Sequence, residues 1–118
     1  MKAFATTMLT LCILTGYGQQ TIRVGAKHFN EGYILSEMIS LLLEEGGYRV
    51  ERKFNLGGTA VSFEALRTGA IDVYPEYTGT IAKEILKAEH GLSIDEIDRE
   101  VHSRYSLGIS GSFGFNNT

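Results

Sequence analysis

The side chains best suited to binding a small molecule lie between Asp72 and Thr80, where a short apolar segment is followed by the only proline of the chain. Pro75 has no backbone N–H and a fixed φ, so strand pairing is expected to stop there. Glu76 and Tyr77 then enter a loop. In an α/β sheet, ligands bind at the edge formed by the loops after the strands, so this segment is a candidate ligand site.

Tyr77 has the chemistry of a cation-binding side chain. The face of a tyrosine ring attracts a desolvated cation, and quaternary ammonium compounds are held this way because they carry charge without hydrogen-bond donors. Tyr74 and Tyr77 could equally cover the sheet edge with their rings. The residues alone leave both interpretations of Tyr77 open.

An enzymatic interpretation rests on Asp72 and Glu76, which could form an acid/base pair in a small secreted enzyme. A proline turn separates them and would point the two carboxylates in different directions. The three histidines, His28, His90 and His102, are too far apart for a local metal motif, and no serine has the setting of a nucleophile. The sequence therefore predicts no catalytic group, no metal site and no cofactor.

A second candidate loop is Gly57-Gly58-Thr59, which precedes a predicted helix. Backbone N–H groups at such a position can bind a phosphate or a carboxylate. The loop lacks the lysine and the spacing of a nucleotide-binding loop, and a plain tight turn is the simpler interpretation.

Alternation of apolar and polar residues predicts three strands, and helical spacing predicts four helices, in the order βαβαβαα. The predicted strands cover residues 21–26, 48–54 and 71–74. Right-handed crossovers would make a parallel three-layer sheet with its strand-to-helix loops at one edge. Three loops should therefore converge into a pocket, namely residues 27–31, 56–59 and 76–80.

The first predicted helix has Asn30 as its N-cap and ends at the glycines that follow it. Its expected buried face consists of Ile34, Leu35, Met38, Leu41 and Leu42.

Threonines and a serine are the expected caps of the other helices. Thr59 would cap the second helix, and Thr78 or Thr80 would cap the third, over residues 81–89. Ser93 and Glu96 form a capping box for the fourth. The apolar stripe of that helix is Ile94, Ile97 and Val101, and its acidic residues are expected to face solvent.

Composition bounds the class of protein. The chain has 118 residues, of which 43% are hydrophobic, enough for one small globular domain and not for two. The formal net charge is −3 and the basic residues are scattered, which argues against nucleic acid as a partner.

Residues 1–18 resemble a secretory signal peptide, because Lys2 precedes an apolar run and small residues lie near Gly18. The predicted mature domain is therefore 19–118, which contains no cysteine. Cys12 permits an alternative, in which it is the acylated cysteine of a lipoprotein, although Leu11 stands where a small residue is expected.

Four motifs resemble, in order and spacing, the solute-binding proteins of ABC importers for glycine betaine, choline and carnitine. They are residues 24–35 (VGAKHFNEGYIL), 55–59 (NLGGT), 72–80 (DVYPEYTGT) and 114–118 (GFNNT). The resemblance covers nearly all of the predicted mature chain. It implies a two-lobed type II periplasmic-binding fold, of which this chain would be the first part of one lobe.

The resemblance also implies a function and a site. The protein would be periplasmic or extracytoplasmic and would deliver a quaternary amine to a permease driven by an ATPase, reaching the membrane only through the permease or a lipid anchor. The family's ligand contacts fall on Tyr77, Thr80 and Asn117. Thr59 and Glu31, in the other two converging loops, complete the candidate ligand-binding set. The tyrosine that follows the last motif in the family lies beyond Thr118.

Two departures from the family pattern affect these expectations. Many relatives carry glutamine where this chain has Gly32, so a polar contact is expected to be missing and another zwitterion, such as ergothioneine or an amino acid, is the alternative ligand. Residues 109–112 are less apolar than usual, so the strand before the last motif is expected to be weak.

Overall fold

The computed structural model describes residues 18–114. Asn117 and, apart from Gly18, the predicted signal segment lie outside the described residues. In the part of the chain that is described, no helix is long and apolar enough to cross a membrane.

The first two predicted strands are confirmed. Strand β1 is Thr21–Gly25 and strand β2 is Arg49–Lys53, and they pair in parallel with Thr21 opposite Arg49 and Gly25 opposite Lys53. A parallel pair requires a crossover, which helix α1 provides. The fold is thus α/β with a small parallel sheet.

The predicted third strand is reduced to a single parallel bridge between Val24 and Val73. Gly25 N–H donates to the Val73 carbonyl at 2.8 Å, but Arg23 N–H donates to the Asp72 carboxylate at 2.7 Å. The Asp72 side chain therefore accepts from a backbone N–H that would donate to a backbone carbonyl in a regular ladder. Pro75 has no N–H with which to continue the pairing.

Helix α1, Asn30–Glu45, does not have the predicted cap. Its N-cap is Phe29, whose backbone is extended and makes no side-chain capping bond. The Asn30 prediction was wrong by one position, because Asn30 already has helical backbone and is the first residue of the helix.

The predicted apolar face of α1 was also wrong, since only Leu35 in it is buried. Ser36 and Ser40 are fully buried instead, and Ser36 Oγ donates to the Gly25 carbonyl at 2.7 Å. Small side chains that form hydrogen bonds allow the helix to lie close to β1. The remaining large apolar side chains of this face are exposed, namely Ile34, Met38, Leu41 and Leu42.

The next two helices also begin without threonine caps. Helix α2 is Thr59–Arg67 with Gly58 at its N-cap. Helix α3 is Thr78–Thr80 with Tyr77 at its N-cap, and it passes into a π-helical turn at Ile81–Ile85. The predicted caps are wrong because each threonine lies inside its helix, and the third helix ends earlier than predicted, before Lys87 with its positive φ of 56°.

Helix α4, Ile94–Tyr105, confirms the predicted capping box. Ser93 Oγ accepts from Glu96 N–H at 3.2 Å, and the Glu96 carboxylate accepts from Ser93 N–H at 2.7 Å. Ile94 is exposed, whereas the rest of the predicted stripe is buried in a cluster formed by Ile81, Ala82, Leu86, Ile97 and Val101.

We expect Asp72→Asn to lower the free energy of unfolding by about 0.5–1 kcal/mol near neutral pH, because Asp72 ties its segment to β1 through an ion pair that solvent screens. The Arg23 guanidinium and the hydrogen bonds it donates hold the pKa of Asp72 below its usual value of 3.8. A lowered pKa stabilises the fold above the usual pKa and ceases to do so as pH falls through the folded value.

The difference between Asp72→Asn and the unsubstituted protein should therefore begin to shrink below about pH 4 and disappear once the pH lies below the lowered pKa of the folded state. Urea unfolding at neutral and acidic pH measures it, with Glu64→Gln as a matched control that breaks an ion pair within one helix. If Asp72→Asn lowered the free energy of unfolding equally at both pH values, the charge of Asp72 would not be the source of the stabilisation.

Candidate ligand-binding site

Three loops meet at the carboxyl end of β1, as the sequence predicts. Leu56 N–H donates to the Ala26 carbonyl at 3.2 Å, and His28 N–H donates to the Gly57 carbonyl at 2.9 Å. The third loop joins them through the Lys27 ammonium, which bonds Glu76 Oε1 at 3.0 Å. The predicted convergence is confirmed.

Glu76 is the centre of this junction. Its Oε1 accepts from Lys27 Nζ and from Tyr77 N–H, both at 3.0 Å, and its Oε2 accepts from the Tyr74 hydroxyl at 3.2 Å. Asp72 binds a different cation, Arg23. Both carboxylates of the proposed acid/base pair are therefore engaged with separate partners, and Tyr74 takes a structural role.

Tyr77 presents its ring rather than its hydroxyl. The hydroxyl donates to Glu31 Oε1. Burial, reinforced by that hydrogen bond and by the charges of Glu31 and Glu76, raises the pKa of Tyr77 to about 12. Tyr77 is thus neutral at physiological pH, and the ring is the part of the side chain that stays available to a ligand.

Phe29 is a site residue that the sequence reasoning missed. Its ring centroid lies 6.3 Å from that of Tyr77, with 40° between the ring planes. A Cβ placed on Gly32 would lie 2.8 Å from Phe29 Cε1, so the absence of a side chain at Gly32 leaves room for this ring. The departure of Gly32 from the family pattern was the sequence signal that could have identified Phe29 as a site residue.

A groove of about 620 Å³ runs along this junction. Tyr77 and Thr80 line it, together with Phe29 and Gly32. Ligand pockets combine such apolar walls with a few polar groups, and this volume lies within their usual range.

Two further candidates, Glu31 and Thr59, are not among the residues lining the groove. Glu31 holds the Tyr77 hydroxyl, and Thr59 Oγ1 accepts from Lys27 Nζ at 3.0 Å. Asn117 is outside the described residues. Between residues 18 and 114, no group of three His, Cys, Asp or Glu side chains is arranged to hold a metal ion.

Residues 20–118 match the family model described as the substrate binding domain of ABC-type glycine betaine transport system. The chain belongs to this family. The family is defined by binding for transport rather than by catalysis.

Proteins similar to this chain carry several ligand names. The chain is 36% identical over 85% of its length to the ergothioneine transport permease/ergothioneine binding protein EgtU of Helicobacter pylori strain G27. It is 38% identical over 61% of its length to the glycine betaine-binding protein YehZ of Escherichia coli K12. It is 32% identical over 93% of its length to the carnitine transport binding protein OpuCC of Listeria monocytogenes.

The chain spans only part of each of these relatives: 19% of EgtU, 24% of YehZ and 39% of OpuCC. Among solved structures, apo YehZ from Escherichia coli matches with a TM-score of 0.65 and 28% identity, covering 72% of this chain and 32% of that one. The likeness confirms the predicted periplasmic-binding fold and agrees with a partial lobe.

We expect Tyr77 to ionise near pH 12, two units above an ordinary tyrosine. Because its charged form is the phenolate, a raised pKa means that the folded state keeps the proton longer, so stability falls as pH rises from about 10 to about 12. Phenolate absorbance, compared between the protein and Tyr77→Phe, isolates this titration. Glu31→Gln should return the pKa of Tyr77 only part of the way to that of an ordinary tyrosine, because burial is the largest cause of the raised pKa. Ionisation of Tyr77 at its ordinary pKa would contradict its partial burial and its hydrogen bond to Glu31.

Gly32→Ala should destabilise the fold although it lies in a helix, where alanine normally gains about 1 kcal/mol over glycine. The new Cβ would meet Phe29 Cε1 at 2.8 Å and the Lys27 carbonyl at 3.1 Å. Such overpacking costs about 1–3 kcal/mol. Repeating the substitution in a Phe29→Ala background should remove much of this cost.

Chemical unfolding measures the four members of this cycle. Gly79→Ala is the control, since a Cβ at that helical position would meet no atom within 4 Å. Equal stabilisation by Gly32→Ala and Gly79→Ala would contradict the close contact between Gly32 and Phe29.

Proposed function

We propose that the chain is part of the extracytoplasmic solute-binding component of an ABC importer and that its ligand is a quaternary amine such as glycine betaine, choline or carnitine. The observation that carries this proposal is the arrangement of Tyr77, whose ring lines a groove while Glu31 holds its hydroxyl. A carboxylate at the edge of an aromatic ring adds negative charge beside the face that attracts a cation.

The charges around the groove support a cationic head group. The Lys27 ammonium is paired with Glu76, so its charge is compensated within the junction. The carboxylate of Glu31 is bonded to a neutral phenol instead. Phe29 supplies a second ring beside Tyr77 and would enlarge the apolar surface available to methyl groups.

The proposal includes the following ligand-contact roles. Tyr77 would supply a ring face, and Thr80 a hydroxyl at the groove wall. Glu31 and Thr59 would act through Tyr77 and Lys27, and Asn117 would contribute from the motif that follows the described residues. Residues 1–18 would act as a signal peptide and residues 19–118 as part of the first lobe.

The proposal includes the partners that such a component serves. A permease and an ATPase would take the ligand across the membrane, and the binding component would be free, anchored through Cys12, or fused to the permease. The name of EgtU combines a permease with a binding protein in one chain.

A second candidate ligand is another zwitterion, with ergothioneine first. Two observations favour it: Gly32 offers no side chain to a polar group of the ligand, and EgtU is 36% identical to this chain. Because the same aromatic walls would bind the trimethylammonium group of ergothioneine, the two candidates differ in the rest of the ligand.

We expect isothermal titration of the protein from its complete reading frame to show binding of at least one of glycine betaine, choline, carnitine and ergothioneine. Tyr77→Leu should weaken that binding about 30-fold, since a desolvated cation–π contact contributes about 2 kcal/mol. Tyr77→Phe keeps the ring and should lose much less, and Tyr48→Leu, at an exposed tyrosine that does not line the groove, serves as the matched control. A folded protein that binds none of the four would overturn the ligand class.

A further inference from the structure

Within residues 18–114, Lys83 is the one basic side chain that lines the groove. It lies in the π-helical turn after α3, and no ion pair joins it to a carboxylate of the described chain. Lys27, by contrast, is paired with Glu76, and their side chains are only 14% and 5% exposed. Lys27 is also not among the residues that line the groove. The ammonium of Lys83 is therefore the basic group of the groove wall that is free to meet a ligand.

The helical turn places Lys83 beside Thr80. Residues three apart on a helix are neighbours on its surface, so Thr80 and Lys83 share one face. The other face carries Ile81 and Ala82, which are buried in the apolar cluster. Because helical side chains tilt toward the N-terminal end of their helix, we expect the Lys83 stem to extend along the groove toward Tyr77.

The groove thus has two chemically different ends. Tyr77 and Phe29 form an aromatic end, which suits the methyl groups and the diffuse charge of a quaternary amine. Lys83 lies six residues after Tyr77, which is about 9 Å along a helix axis, and its stem returns over part of this distance. An ammonium at the second end suits a carboxylate, with which it forms a charge-assisted hydrogen bond.

Glu84 also lines the groove, but it does not neutralise Lys83. Adjacent helical residues do not face each other, and the described chain has no ion pair between these two side chains. Glu84 borders in addition a second cavity of about 300 Å³, which Lys87 lines as well. A carboxylate at position 84 would attract the cationic end of every quaternary amine, so it does not distinguish ligands with a carboxylate from those without one.

We propose that Lys83 is a specificity-determining residue, whose ammonium binds the carboxylate of a zwitterionic quaternary amine that Tyr77 holds by its cationic end. The groove would then favour zwitterions such as glycine betaine, carnitine and ergothioneine over choline, which is a cation without a carboxylate. The inference rests on the proposed function, since it requires a quaternary amine in the groove.

Glycine betaine and choline are a matched pair of ligands for the test. Both carry a trimethylammonium group on a methylene, and they differ in the terminal group, which is a carboxylate in glycine betaine and a hydroxymethyl group in choline. Isothermal titration of the protein from its complete reading frame gives the ratio of the two affinities. We expect the unsubstituted protein to bind glycine betaine more tightly than choline. If it binds only carnitine or ergothioneine, that ligand and its methyl ester form the matched pair.

Lys83→Met should lower the affinity ratio about fivefold, which corresponds to about 1 kcal/mol, the upper end of the range for an exposed ion pair. Methionine is also an unbranched helix former, so the fold should be kept. Lys83→Glu should have a larger effect, because it repels the carboxylate of glycine betaine and attracts choline. Lys87→Met is the control and should leave the ratio unchanged, since Lys87 does not line the groove.

Ionic strength provides a second measurement. Salt screens an attraction between an exposed ammonium and a carboxylate. The affinity ratio of the unsubstituted protein should therefore fall as salt is added, whereas that of Lys83→Met should change much less. An equal salt dependence of the two ratios would contradict the contact between Lys83 and the carboxylate.

The outcomes separate the inference from the proposed function. If Lys83→Met and Lys83→Glu weaken glycine betaine and choline equally, or neither of them, the inference is overturned and the proposed function stands. Tighter binding of choline than of glycine betaine by the unsubstituted protein would have the same consequence. If the folded protein binds none of glycine betaine, choline, carnitine and ergothioneine, the proposed function is overturned and the inference with it.

Discussion

The buried pairing of Lys27 with Glu76 is the interaction on which the arrangement of the loops depends. Strand pairing alone ends at Gly25 and Val73, before any of the candidate ligand-binding residues is reached. Beyond that point, the hydrogen bonds of this charged pair hold the loops together in place of the sheet ladder. Because the pair is almost fully excluded from water, each bond to it is stronger than at the surface and each loss more costly.

The same junction explains why Tyr77 suits a cation. A tyrosine on an exposed loop would present a hydroxyl as readily as a ring, but here Glu31 binds the hydroxyl and Glu76 binds the backbone N–H. Both polar groups are engaged, so the ring face is the remaining surface for recognition. Quaternary amines suit such a face because they have no hydrogen-bond donor to offer to the engaged groups.

Predictions from local sequence succeeded where the interaction was local. The capping box of Ser93 and Glu96 formed as expected, because both bonds lie within one turn. Asn30 and Thr59 were wrong as caps because each is already the first residue of its helix, and the Thr59 hydroxyl accepts from the distant Lys27 instead. On α1, spacing predicted the wrong buried face. Ser40 and Ser36, which bonds the Gly25 carbonyl of β1, are buried in place of most of the apolar stripe.

The sequence by itself determined the first two strands, the existence of four helices and the convergence of three loops, because periodicity and proline or glycine chemistry act over a few residues. Only the tertiary structure decided the partners of Glu76, the engagement of the Tyr77 hydroxyl and the place of Phe29 beside Gly32. Lys27 and Glu76 are 49 positions apart. Their contact depends on how the crossovers bring the loops together, which no local pattern encodes.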